Sequence, residues 1–161
     1  MVNYLPKKYV LLILILLNAV PIMASPDCPI ITGRFSGLPD GTTSNNQANG
    51  WYLDASQVTG GYFAVKSNRL HAQELGGQGT WYSNVFSTAG YTGWQVAIKI
   101  TAEGDMDSTE YVRLYYRING GPEVLYDQRT GNFGTLDFIS PALNGNSVQL
   151  VVKIYNYSNG G

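Results

Sequence analysis

The sequence predicts an all-β fold, an antiparallel β-sandwich of jelly-roll type. From Trp51 onward, short runs of alternating apolar and polar residues are separated by glycine-bearing turns, which is the pattern of strands with one face buried. No segment beyond the N-terminal apolar run has a helical stripe. Many short strands at regular spacing are typical of sandwiches and jelly rolls.

Tyr and β-branched residues abound in the predicted strands, and Gly is plentiful in the turns between them. In chain order, the alternation predicts strands at 51–54, 61–66, 69–74, 79–86, 94–102, 110–118, 122–126, 134–139 and 147–155.

The strand at 110–118 has the clearest contrast between its two faces. One face is apolar and is expected to lie in the core; it consists of Val112, Leu114, Tyr116 and Ile118. The other face carries tyrosine and arginine in alternation. Asn119-Gly120-Gly121 follows, and because Asn and Gly tolerate positive φ, this segment predicts a hairpin. Ser67-Asn68 predicts a second hairpin in the same way.

The N-terminus has the layout of a secretory signal peptide. Lys7 and Lys8 precede the apolar run Leu11–Leu17, and a helix breaker and small residues follow. A transmembrane anchor is the alternative, but it needs about 20 apolar residues. Lipidation at Cys28, the single cysteine, lacks the preferred small residue before it. We therefore expect a signal peptide at 1–24, a lead-in at 25–50, a β-sandwich domain at 51–161, and a secreted or cell-surface protein.

Charge argues against nucleic acid as a partner. Removing Lys7 and Lys8 with the signal leaves 8 Lys plus Arg (10 − 2) against 11 Asp plus Glu, a net charge of −3. No basic block remains. After signal cleavage we expect no membrane association, and we expect glycans, cell-surface ligands or other domains of a longer chain as partners.

The acidic segment at 103–110 is open to three interpretations. It contains Glu103, Asp105, Asp107 and Glu110, and paired carboxylates are the machinery of glycosidases. The spacing resembles, but departs from, the Glu-x-Asp motif of laminarinase-type hydrolases, and the segment lies between predicted strands. Asp105, Asp107 and Glu110 could instead hold a structural Ca²⁺. The third interpretation is a solvated acidic turn.

Two other motifs give little indication of a catalytic or phosphate-binding site. His71 is the only histidine and shares a polar strand face with Arg69 and Gln73, so a surface position is expected. The glycines of ELGGQGTW are not followed by the lysine of a phosphate-binding loop. The sequence therefore predicts no enzyme, and no cofactor other than the Ca²⁺ considered above.

Aromatic residues are the remaining signal. Trp51, Trp81 and Trp94 are expected to pack in the core. Trp81 and Tyr82 are adjacent in a strand, so they point to opposite faces and one of them is expected to be exposed. Tyrosine rings stack on sugars and arginine donates to hydroxyls or carboxylates, although such residues also form plain cross-strand ladders. The candidate ligand-binding residues are Trp81, Tyr82, Tyr111, Arg113, Tyr115 and Arg117.

Two segments together resemble jelly-roll modules of secreted multidomain proteins in the Bacteroidetes. They are GYFAVKSNRLHAQELGGQGTWYSNVFSTAGYTGWQVAIKITAEGDMDSTEYVRLYYRINGGPEVL and NGNSVQLVVKIYN. Such modules are similar to concanavalin A-like or galactose-binding-like lectin domains, and they occur in adhesins, extracellular hydrolases and proteins of the type IX secretion route.

The resemblance implies a non-catalytic carbohydrate-binding or adhesion module. A structural spacer or protein-interaction module and a glycan-hydrolase fragment are the alternatives. Modules of this kind usually have Asp at the position of Glu110, and a further strand follows the turn at which this sequence ends, NYSNGG. We therefore expect either a fragment or a sheet that lacks its last strand.

Overall fold

The computed structural model describes residues 35–45, 50–102, 104 and 106–157. The predicted signal peptide, Cys28, Glu103 and Asp105 lie outside the described residues. Within those ranges the fold is all-β, and no helix is present, so none is long and apolar enough to cross a membrane.

The described residues form eleven strands. They are β1 Tyr52–Asp54, β2 Tyr62–Lys66, β3 Arg69–Gln73, β4 Gly77–Ser87, β5 Thr92–Trp94, β6 Ala97–Ala102, β7 Tyr111–Ile118, β8 Val124–Thr130, β9 Gly134–Ile139, β10 Leu143–Asn144 and β11 Ser147–Asn156. All nine predicted strands are present. The predicted strand at 94–102 is divided into the end of β5 and β6, and the short β10 was not predicted.

The strands form one large antiparallel sheet and three two-stranded pairs. The large sheet has the order β1-β4-β11-β7-β8, and the pairs are β5–β10, β2–β3 and β6–β9. Strand β11 is central, because it pairs with β4 on one side and with β7 on the other. In the described part of the chain, β11 therefore lacks no partner, and the edges of the large sheet are β1 and β8.

Both predicted hairpins are confirmed. Ser67 and Asn68 have φ of 52° and 63° and join β2 to β3. Asn119 and Gly120 have φ of 53° and 69° between β7 and β8, and the Gly121 amide donates to the Ile118 carbonyl at 2.9 Å. Two successive positive-φ residues match the right-handed twist of the flanking strands.

One face of the large sheet, called the inner face, packs on residues of the small sheets. Val112, Leu114, Val148, Leu150 and Val152 from this face form one buried cluster with residues of other strands, among them Val65, Trp94, Phe138 and Leu143. Leu114 is fully buried, and Tyr116 and Ile118 pack against the same cluster. The prediction of a core face on β7 is therefore confirmed.

The described part of the lead-in contributes to this core. Phe35 contacts the rings of Trp51 and Trp81 edge-on, at centroid distances of 5.3 and 5.8 Å. The backbone of the lead-in is hydrogen-bonded to β2. The Gly41 amide donates to the Val65 carbonyl, and the Val65 amide donates to the Thr42 carbonyl.

The glycines of ELGGQGTW serve packing. A Cβ on Gly77 would lie 1.8 Å from the Gln57 carbonyl oxygen, and one on Gly79 would lie within 3 Å of Phe63 and Leu75 side chains. Other parts of the chain approach β4 too closely here for any side chain.

Candidate functional site

The outer face of the large sheet, opposite the core, gathers most of the predicted ligand-binding residues. Cross-strand register places Tyr115 opposite Val151, Val151 opposite Tyr82, and Tyr82 opposite Tyr52. Since directly opposite residues share a face, one row runs across four strands. We call this region the tyrosine–cation surface: Tyr52, Tyr82, Tyr111, Arg113, Tyr115, Arg117, Glu123, Lys153 and Tyr155.

Trp81 does not belong to this surface. It is 7% exposed and lies in the core cluster against Phe35. Because Tyr82 follows it in β4, their side chains point to opposite faces, and Tyr82 is the half-buried residue on the outer face. This corrects the inclusion of Trp81 among the ligand-binding candidates, while the expectation that all three tryptophans are buried is confirmed.

Aromatic stacking organises two regions of the surface. Tyr52 and Tyr82 stack with ring centroids 4.6 Å apart and planes 15° apart, at the β1 side of the sheet. Tyr111 and Tyr155 stack at 5.3 Å on the neighbouring strands β7 and β11. The Tyr111 hydroxyl and Gln78 are hydrogen-bonded at 2.9 Å. These contacts hold the rings in defined positions.

Each cation of the surface lies over a tyrosine ring. The Arg113 guanidinium is 4.0 Å from the centroid of Tyr111, and the Arg117 guanidinium is 5.2 Å from that of Tyr82. The Lys153 ammonium is 4.8 Å from the centroid of Tyr115. Cation–π attraction of this kind contributes about 0.5–1 kcal/mol where the groups remain partly solvated.

Glu123 lies between two of the three cations. Its carboxylate oxygens are each 2.6 Å from a nitrogen, one on Arg117 and one on Lys153. Burial raises the pKa of Glu123, but the hydrogen bonds from Lys153 and Arg117 outweigh it, so the pKa lies below its usual value. The hydrogen bond between Glu123 and Lys153 also raises the pKa of Lys153. Glu123 and Lys153 are therefore both charged at neutral pH.

The surface forms a continuous layer. Val151 lies on its floor and is completely buried, although it is on the outer face. Tyr82, Tyr111, Tyr115, Arg113 and Arg117 are half-buried, whereas Tyr52 is 43% exposed at the edge strand. The most accessible ring for a ligand is thus that of Tyr52.

Sequence reasoning missed four members of the surface. Lys153 and Tyr155 lie on the predicted strand 147–155. They are on the face opposite its apolar residues, and no function was assigned to that face from the sequence. Tyr52 is in the first strand, and Glu123 is in the turn before β8. The alternation of β11 places Lys153 and Tyr155 on one face, which was the available signal, but the strand order that brings β11 beside β7 could not be read from the sequence.

The acidic segment is organised by hydrogen bonds to its own backbone. Glu110 is 2% exposed; one carboxylate oxygen accepts from the Asp107 amide at 2.8 Å and the other accepts from the Tyr157 amide. Asp107 accepts from the Thr109 hydroxyl and amide, and these bonds lower its pKa. The third predicted metal ligand, Asp105, lies outside the described residues.

This arrangement bears on both the metal and the hydrolase interpretations. Among the described residues, no three His, Cys, Asp or Glu side chains are grouped as metal ligands. Each Glu110 oxygen already accepts a hydrogen bond from a backbone amide. Glu110 therefore joins the turn before β7 to the residue after β11.

Comparison with known proteins was made at the level of family, sequence and structure. No family model, no curated protein and no solved structure matches this chain. The resemblance to Bacteroidetes jelly-roll modules stays a prediction carried by the segments quoted above.

Proposed function

We propose that the chain is a non-catalytic, secreted carbohydrate-binding or adhesion module of the jelly-roll type, and that it binds glycan on the tyrosine–cation surface. The observation that carries the proposal is the stacked pair of Tyr52 and Tyr82 at the β1 side of the sheet, with Arg117 over the Tyr82 ring.

The chemistry of a sugar fits this edge. A pyranose presents C–H groups on one face, which pack on an aromatic ring, and hydroxyls around its rim, which need hydrogen-bond partners. Tyr52 offers an exposed ring on the edge strand, and Arg117 offers guanidinium donors nearby. Because the rings are already stacked on one another, little side-chain entropy is lost on binding.

Binding to a glycan array or to immobilised polysaccharides tests the proposal. We expect Tyr52→Ala, Tyr115→Ala and Arg117→Ala each to weaken binding, with a loss of about twofold to tenfold for Tyr52→Ala, the range of an aromatic contact of about 0.5–1.5 kcal/mol. Arg69→Ala, on the exposed face of β3, is the matched control and should bind normally. Unchanged binding by all three surface variants would reject this site.

A structural spacer or protein-interaction module is the second candidate. It is favoured by the continuity of the layer, in which every cation already lies over a ring and Val151 is sealed beneath. It predicts that no glycan binds and that the same substitutions lower the free energy of unfolding instead. Measuring binding and urea unfolding on the same variants separates the two candidates.

A further inference from the structure

The charges on the tyrosine–cation surface are unevenly matched. The surface carries three cations, Arg113, Arg117 and Lys153, whereas the acids on the same face of the sheet are Glu123 and, on β1, Asp54. Asp54 is exposed and accepts from the Ser56 amide in its own turn at 2.9 Å. Glu123 is shared by Arg117 and Lys153. The whole chain has a net charge of −1, so this surplus of cations is local.

Arg113 is the cation without an acid. Among the described residues it forms no ion pair, and its guanidinium contacts the Tyr111 ring. Its cross-strand neighbours are Lys153 on β11 and Gln128 on β8. Like charges directly opposite one another in an antiparallel pair lower stability, and of Arg113 and Lys153 only Lys153 forms an ion pair with Glu123.

The guanidinium of Arg113 lies over a ring that is itself fixed in position. Its support, Tyr111, is fixed by stacking on Tyr155 and by the hydrogen bond to Gln78. Stacking on a ring uses the flat face of the guanidinium and leaves the N–H groups at its rim free to donate. The planar fork of an arginine matches the two oxygens of a carboxylate.

We propose that the tyrosine–cation surface selects acidic polysaccharides, with Arg113 donating to the carboxylate of a uronic acid residue. The inference rests on the proposed function, since the tyrosine rings would pack against the sugar rings while the Arg113 guanidinium donates hydrogen bonds to their carboxylates. The occupant is a polyuronate chain, and its charge complements the cation that the protein leaves unpaired.

Matched polysaccharides test the inference. We would measure the Kd of polygalacturonate and alginate by calorimetry, each beside its carboxyl-reduced form, in which CH₂OH replaces the carboxylate on the same backbone. At least one acidic polymer should bind about tenfold more tightly than its reduced form, the range of a hydrogen bond to a charged group.

Variants distinguish hydrogen bonding of the polysaccharide by Arg113 from nonspecific electrostatic attraction between the polysaccharide and the cations of the protein. Arg113→Gln should remove the preference for the acidic form, and Arg113→Lys, which keeps the charge but loses the fork, should retain part of it. Arg69→Gln removes the same charge from β3 and should leave the preference intact. Unfolding curves of each variant verify that it is folded.

The unfavourable outcomes are distinguishable. If acidic and reduced forms bind equally, or if Arg69→Gln lowers binding as much as Arg113→Gln, the inference fails and glycan binding stands. Tighter binding of dextran sulfate than of every polyuronate also overturns it. If no polysaccharide, acidic or neutral, binds the wild-type chain, the proposed function fails together with the inference.

Discussion

The two faces of the large sheet are built from alternate residues of the same strands, but different forces stabilise them. On β7, Leu114 is fully buried among apolar side chains, while its neighbours Arg113 and Tyr115 are half-buried among rings and charges. The inner face depends on removing apolar surface from water, about 25 cal/mol per Å². The outer face depends on contacts that solvent weakens. A substitution should therefore be far more costly on the inner face, and the outer face is free to carry function.

The largest contrast is expected between two leucines. Leu114→Ala opens a cavity in the core and should lower the free energy of unfolding by about 2–5 kcal/mol. Leu125, on β8, is 47% exposed and lies opposite Tyr115 on the outer face. Leu125→Ala should cost no more than about 0.5 kcal/mol. Urea unfolding measures both, and similar losses would show that the two faces do not differ as described.

A closer comparison uses two adjacent valines of β11. Val151 on the outer face is fully buried, and Val152 on the inner face is 3% exposed. Val151→Ala should cost about 1.6 kcal/mol, the transfer of two methylene-sized groups. Val152→Ala should cost about 1 kcal/mol more, since a close-packed core relaxes less around a cavity than half-exposed side chains do. An equal or larger loss for Val151→Ala would mean that the outer layer is as rigid as the core.

The smallest effect concerns Glu123, and it should depend on pH. Because the pKa of Glu123 is lowered in the folded state, its contribution to stability is present above the unfolded value of about 4.5. It is lost as the pH falls through the lower folded-state pKa. Glu123→Gln should therefore lower the free energy of unfolding at pH 7 by about 1 kcal/mol, after allowance for solvent screening.

Unfolding curves at pH 7 and in acid test this sign. The difference between wild type and Glu123→Gln should shrink as the pH falls below 4.5. Glu74→Gln, at an exposed glutamate with no ion pair among the described residues, is the control variant. A difference that grows in acid would contradict the assignment of Glu123 as the shared carboxylate.

The alternation of residues was enough to predict the strands and the two faces of β7, because side chains in a strand alternate with a period of two. It could not predict where that period breaks. Between Tyr82 and Val85 the β4–β11 register shifts, and the Ser83 hydroxyl accepts from the Leu150 amide at 2.8 Å. Val85 thus lies on the outer face, opposite Gln149, where strict alternation from Tyr82 would have placed Phe86.

The composition of the site was predicted in part for the same reason. Tyr111, Arg113, Tyr115 and Arg117 belong to one strand, and local periodicity places them on one face. The stacked partner of Tyr82, the acid between Arg117 and Lys153, and the unpaired state of Arg113 depend on which strands are neighbours. Strand order is set by packing between distant segments, and no local pattern encodes it.

The central position of β11 has a consequence for synthesis on the ribosome. Among the described residues it follows every other strand, yet it separates β4 from β7, so these two strands have no shared partner until it emerges. A nascent chain that has reached β10 exposes strand edges that can pair with other chains. Pairings between such distant segments also form slowly. We therefore expect the large sheet to close in one late step, and protection from aggregation before that step to govern how much protein matures.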